Sequence, residues 1–223
     1  MRLLIINPNT SKGATSRIAE AANAVAQHGD VFTTLCPSFG PELIVTPKDA
    51  EEASKAVLET VKSYDAPIDG IVLASFGNTG AEEVRALRPD IPVIGIAAAA
   101  FSVVAALGGP FGIVTFGPAL VTGLQAKAEE SGLGGQLLGI AAVNTNDFGD
   151  PGTVQSRYVE ELSALCLQMH QRGARSIVMG GGPLAGIAAK IAPSCPVPVI
   201  DGTQGAINML RTVVVRRDAT LAI

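Results

Sequence analysis

Tryptophan is missing from this sequence, and all aromatic residues together make up 4% of it. That argues against a base-stacking platform or a carbohydrate cleft, both of which rest on exposed rings. Charged residues reach only 16%, with 16 Lys and Arg against 20 Asp and Glu, and no basic patch stands out. Neither nucleic acid nor an anionic membrane is expected as a partner. There are two histidines and three cysteines, with no C-x-x-C and no metal-ligand spacing, so no metal site is expected. His28 and His170 both fall at the ends of helical patterns, where a cationic side chain suits the carbonyl end. Cys166, in "ELSALCLQMH", reads as core, while Cys36 and Cys195 lie near strand and loop ends. No organic cofactor is indicated. The opening "MRLLIINPNTS" has too short an apolar run for a secretory signal. The longest apolar stretch, 91–107, is shorter than the roughly 20 residues of a membrane span and is interrupted by Gly95. A cytoplasmic location is the expectation.

Apolar residues, by contrast, are plentiful. They make up 48% of the 223 residues and the mean hydropathy is +0.37, so the chain can bury a sizeable core as one large domain or two small ones. Strand-like and helix-like segments alternate along it. Strands are expected at 3–6, 31–35, 71–74, 92–96, 111–115, 136–143, 177–179 and 197–200. Helices are expected from a Thr10 or Ser11 cap to about 27, and at 47–63, 80–87, 119–131, 154–171, 183–191 and 203–215. An Ala-rich buried helix follows the strand near residue 96. This order is that of an α/β protein with parallel sheets flanked by helices.

The halves echo each other. "DGIVLASFGNTGAEEVRALRPDIPVIGI" has the layout of "RSIVMGGGPLAGIAAKIAPSCPVPVID": apolar strand, Gly-rich turn, short helix, Pro-containing loop, P-V-I strand. Two copies are too few for a solenoid. Two pseudo-symmetric lobes facing a shared cleft are expected. The first is 1–96, with the C-terminal 202–223 packing back on it, and the second is 97–201. In open α/β sheets ligands bind beyond the carboxyl ends of the strands, and both Gly-rich turns sit there.

Polar or glycine residues cluster at four strand ends. "INPNTS" supplies Asn7, Asn9, Thr10 and Ser11, "ASFGNTG" supplies Ser75, Phe76, Gly77, Asn78 and Thr79, "VTFG" supplies Thr115 and Phe116, and "MGGGPL" supplies Gly180, Gly181 and Gly182. Backbone N–H groups at such turns form a ready cradle for an oxyanion or carboxylate. Each cluster alone also reads as a helix cap, a turn or a close-packing device. Their recurrence at equivalent strand ends is the more specific signal.

In sequence order these motifs resemble the aspartate/glutamate racemase superfamily, in its hydantoin racemase branch. "INPNTS", "FGPELI" (residues 39–44), "IVLASFGNTG", "IPVIGIAAAA", "GIVTF", "GARSIVMGGGPLAG" and "PVIDG" carry the resemblance over nearly the whole chain. It implies a small-molecule substrate of the cyclic-amide kind and a homo-oligomer. It also implies two cysteines, one per lobe, that remove and return an α-proton. At those positions this sequence has Ser75 and Gly181. Asn78 and Thr79 stand where the family's turn has Asp and Pro, and Ala98 where Glu is frequent. A thiol near pKa 8.5 needs only a modest shift to ionise at neutral pH, whereas a serine hydroxyl needs a neighbouring base and glycine offers nothing.

The resemblance leaves three readings open. One is a divergent, non-racemising hydrolase or lyase on a hydantoin or thiohydantoin-like ring, desulfhydrase chemistry included. Its substrate-binding residues would be Asn9, Gly40, Phe76, Gly77, Asn78, Thr115, Phe116, Gly181 and Gly182. Ser75 and Glu42, the carboxylate of "FGPELI", would be catalytic. The second is a racemase or isomerase that uses another base, and the third a small-molecule-binding pseudoenzyme.

Overall fold

The computed structural model describes residues 1–145, 147 and 149–221, with residues 215–221 described by their backbone alone. Eight strands and eight helices alternate. The first half holds β1 (Arg2–Ile6), α1 (Lys12–Asn23), β2 (Val31–Leu35), α2 (Pro47–Lys62), β3 (Gly70–Leu73), α3 (Ala81–Leu87), β4 (Val93–Gly95) and α4 (Ile96–Leu107). The second holds β5 (Phe111–Thr115), α5 (Val121–Glu130), β6 (Leu137–Ala142), α6 (Val154–Gln171), β7 (Ser176–Met179), α7 (Ala188–Ile191), β8 (Val199–Ile200) and α8 (Gly202–Leu221).

The strands form two four-stranded sheets with the same order, β2-β1-β3-β4 and β6-β5-β7-β8, and every pairing is parallel. The α/β architecture expected from the alternation is thus present, and so is the internal echo. Parallel neighbours require crossover connections, and the helices supply them. β3 and β7, flanked by strands on both sides, are buried at every residue, while the edge strands β2 and β6 are partly exposed. This explains the continuous apolar runs "IVL" and "IVM": both faces of these strands are covered.

Local signals set several helix starts. Ser11 accepts the Ala14 N–H at 3.1 Å to cap α1. Thr46 and Asp49 form a reciprocal capping box in front of α2, with Pro47 at the first helical position. Other boundaries differ from expectation. The 183–191 segment is not one helix: a 3₁₀ turn at Gly182–Leu184 is separated from α7 by Gly186 at φ +85°. That left-handed residue is tied by its N–H to Asp201 and lies against Ala21 of α1, so the chain cannot continue as a helix there. α5 likewise opens with a 3₁₀ turn at Pro118–Leu120.

The core runs through both halves. One buried cluster joins Ile5 and Val72 of the first sheet to Phe111, Ile113 and Val178 of the second. Phe76, Phe101 and Phe111 form a chain of edge-on ring contacts, with centroids 6.2 and 6.1 Å apart. α8 packs against α4, α1, β3 and β4. Its buried Ala206, Ile207 and Leu210 complete the first sheet's side of the core, and Leu210 lies against Gly70. Residues 222 and 223, included in the segment expected to pack back, lie outside the described residues. No helix among the described residues is long and apolar enough to cross a membrane.

Candidate functional site

The carboxyl ends of β3 and β7 carry equivalent turns. Ala74 N–H donates to Ile6 O at 2.8 Å, and Gly180 N–H donates to Val114 O at 2.8 Å. Each residue extends its central strand by one bond to the neighbouring strand. The next positions, Ser75 and Gly181, are therefore counterparts. Both line a cleft of about 390 Å³.

On the first wall, the Ser75 hydroxyl accepts the Gly77 N–H at 3.2 Å and lies 3.1 Å from the Thr79 hydroxyl. Asn78 closes this turn at φ +54°, a left-handed conformation that Asn tolerates better than most residues. Asn78 does not line the main cleft but an adjoining polar recess, which also contains Glu51, Glu82, Glu83 and Arg85. Asn9 contributes a defined donor. Its Oδ1 accepts from Ser11 N–H at 3.0 Å and from Asn7 Nδ2 at 2.7 Å. A backbone N–H can only donate, so this oxygen is fixed as the acceptor and the Asn9 amide nitrogen is left for the cleft that the residue lines.

The second wall is built from glycine. Gly181 has φ +143°, and a Cβ placed there would stand 2.7 Å from Phe116 Cε1. At Gly182 it would stand 2.7 Å from the carbonyl oxygen of Ala74 on the first wall. Here the two halves meet backbone to backbone, and only glycine permits it. The N–H groups of Ser75, Phe76, Gly181 and Gly182 have no acceptor among the described residues, and all four residues line the cleft. Such unpaired donors suit an oxygen of a bound molecule.

The remaining expected site residues are distributed as follows. Phe76, Gly77 and Phe116 line the cleft with Asn9, Ser75, Gly181 and Gly182. Thr115 does not: it is fully buried and donates to Gly180 O at 2.7 Å, so it acts on the turn rather than on a ligand. Gly40, at φ +111°, packs toward Ala56 and is not among the lining residues. Glu42 is exposed and also outside the lining, whereas Leu43 and Ile44 face inward. The loop turns its carboxylate to water and its aliphatic side chains to the cleft, as desolvation costs dictate.

Sequence reasoning missed the other rim. Thr46, Pro47 and Ala50 at the start of α2, and Thr122, Gly123, Leu124 and Lys127 on α5, also belong to the lining. The Pro47 helix start was visible, but nothing in the sequence said that it faced the cleft. Among the described residues Lys127 is the sole ionisable side chain of the lining, and its Nζ is 2.6 Å from Glu130 Oε2. None of the cysteines lines the cleft. Cys166 is fully buried, and burial pushes its thiol up to about 12, with nearby Cys195 adding to the effect. No group of three or more His, Cys, Asp or Glu suited to a metal occurs among the described residues.

Residues 3–210 match the family described as Asp/Glu/Hydantoin racemase. A hydantoin racemase of Paenarthrobacter aurescens is 30% identical over 96% of this chain and 91% of its own. Among solved structures, the allantoin racemase of Klebsiella pneumoniae superimposes with a TM-score of 0.88 at 30% identity, over 96% of this chain and 88% of the other. That of Pseudomonas fluorescens gives 0.83 at 28% identity, covering 96% and 91%.

Proposed function

The chain belongs to the Asp/Glu/hydantoin racemase family, and we propose from that premise that it binds and transforms a small, uncharged cyclic ureide of the hydantoin or thiohydantoin kind, by chemistry other than two-thiol racemisation. The observation that carries this reading is the composition of the cleft. It offers hydrogen-bond donors from backbone N–H groups and Asn9, apolar walls, and one lysine already paired with Glu130. A neutral ring with carbonyl oxygens suits that lining. Aspartate or glutamate would bring two carboxylates and an ammonium to a lining that holds one partly neutralised cation and, among the described residues, no carboxylate.

The mechanism follows from the same groups. Unpaired N–H donors on both walls stabilise negative charge that develops on a ring oxygen or sulfur. In this reading the Ser75 hydroxyl, whose oxygen accepts the Gly77 N–H and lies beside the Thr79 hydroxyl, donates to that atom while Thr79 donates to Ser75. Water then adds to the polarised ring carbon and its protons pass to the departing atom: to the ring nitrogen as the C–N bond breaks and the ring opens, or, in a thiohydantoin, to the sulfur as the C–S bond breaks and hydrogen sulfide leaves a carbonyl behind. No thiol in the cleft performs proton abstraction, which supports the non-racemising reading.

A second reading is a racemase or isomerase with another base, favoured by 30% identity over 96% of the chain to a protein named hydantoin racemase. Proton NMR in D₂O with 5-substituted hydantoins and 2-thiohydantoins separates the two. Ring change or sulfide release without α-proton exchange supports the first. Exchange with an intact ring establishes the second and overturns the first. Ligand broadening without reaction identifies a binding protein.

A further inference from the structure

Gly181 and Gly182 line the cleft, and side chains bond the rest of their turn. Thr115 Oγ1 donates to Gly180 O at 2.7 Å. Asp201 accepts the Gly186 N–H. Between them, Gln155 Nε2 donates to Pro183 O at 3.0 Å and to Ala185 O at 2.6 Å. Gln155 is 4% exposed, so both bonds are made away from water. Its two amide hydrogens serve two carbonyls of one turn, which fixes the turn's orientation as well as its position.

Gln155 lies in the first turn of α6, and the residues just before it reach the opposite wall. Asp150 Oδ1 accepts from Gly152 N–H at 2.9 Å and from the Ser11 hydroxyl at 3.3 Å. Gly152 crosses Gly13 of α1 at backbone contact distance, and Arg17 Nε donates to its carbonyl at 3.4 Å. Ser11 N–H is the same donor that fixes the Asn9 oxygen. Residues 150–155 thus touch the supports of both cleft walls.

We propose that Gln155 is a positioning residue of the cleft: it holds the glycine turn so that the Gly181 and Gly182 N–H groups face the ligand, in register with Asn9 across the Asp150–Gly152 contact. The ligand part rests on the cyclic-ureide reading above. Gln155→Leu keeps the side chain's bulk and removes both donors, leaving two buried carbonyls unpaired. Gln155→Glu keeps the shape. Its neutral acid donates one bond, and its carboxylate repels both carbonyls, so burial makes the swap pH-sensitive.

The test measures affinity for 5-benzylhydantoin by calorimetry and, without ligand, hydrogen exchange of the Leu184, Ala185 and Gly186 amides. Gln155→Leu should weaken affinity about tenfold or more and speed exchange at those three amides, with β7 unchanged. Gln155→Glu should regain affinity and protection relative to the parent protein as pH falls from about 8 to about 5; the parent series is run alongside because the Gly186 amide also reports Asp201, whose carboxyl burial pushes up. Gln155→Leu that retains protection, and affinity within about twofold, overturns the proposal. If the parent protein does not bind the probe, the cyclic-ureide reading fails while exchange still decides Gln155: a local rise supports it and no change overturns it. If Gln155→Leu does not fold, the Gln155→Glu series decides, pH-independent protection being the overturning result.

Discussion

The edge of the Phe116 ring stands where a side chain at residue 181 would begin: Cε1 lies 2.7 Å from the Cβ position of Gly181, which is held at φ +143°. Its counterpart across the cleft, Ser75, carries an ordinary side chain with two hydrogen-bonding neighbours. The two walls of a pseudo-symmetric cleft are therefore chemically unequal, one presenting a side-chain hydroxyl where the other has a ring edge and no side chain.

Gly181→Ala should lose about 1–3 kcal/mol of stability, from backbone strain and the contact with Phe116. Phe116→Leu in the same chain should recover the steric part and leave the strain. Chemical denaturation of the two single variants and the double variant checks this; simple additivity would mean that the ring is not the obstacle. Placing cysteines at both 75 and 181 should accordingly give more α-proton exchange with Phe116→Leu than without it.

Ser75→Ala should lower turnover of a reacting ring by about 10²–10⁴-fold while leaving affinity within about tenfold, as expected for a donor that acts mainly as charge develops. Glu42→Gln should change neither by more than about twofold, because its carboxylate sits in water outside the lining. Initial rates and ligand titration on the two variants distinguish these outcomes.

Asp30 joins the chain's start to its last helix: one oxygen is 3.2 Å from the Met1 ammonium and the other 2.7 Å from Arg211 Nη2. Burial pushes its carboxyl up, but the Gln27 N–H, Arg211 and the Met1 ammonium together outweigh this, and the net direction is down. A carboxyl lowered on folding stabilises the protein above its unfolded pKa, near 4, and loses that contribution as pH falls through the folded value. Asp30→Asn should lower Tm at pH 7 and flatten the decline below about pH 4. Melting curves from pH 7 to 3 check both.

Cys166 should resist iodoacetamide at pH 8 in the folded protein, because burial pushes its thiol up to about 12 and closes access to it. It should react once the chain is unfolded. Peptide mapping before and after denaturation reads the difference, and rapid native labelling would contradict the packing of α6 on β7.

The sheets were legible because a parallel strand covered on both faces leaves a short unbroken apolar run, as "IVL" and "IVM" do. The internal echo put the two Gly-rich turns across a shared cleft, and the resemblance to the racemase superfamily picked out Ser75 and Gly181 within them. What escaped depended on distant partners. Gln155 in a helical pattern reads as a surface residue, and only the fold brings the 183 and 185 carbonyls to it. The break at Gly186 is set by Asp201, fifteen residues on. Which of Glu42 and Leu43 faces the cleft depends on a loop with no regular period, and the cleft face of α5 depends on the other half of the molecule.

The packing of α8 on the first sheet has a consequence for biosynthesis. β1 leaves the ribosome long before α8, yet the cover over Ile96, Ala99 and Gly70 comes from Gly202 onward. The second sheet has all its strands by Ile200, before that helix begins. The half that precedes in the chain is therefore the half finished last, and it keeps an open apolar side until α8 is made. That nascent state, more than the completed fold, is where holding chaperones have a surface to bind.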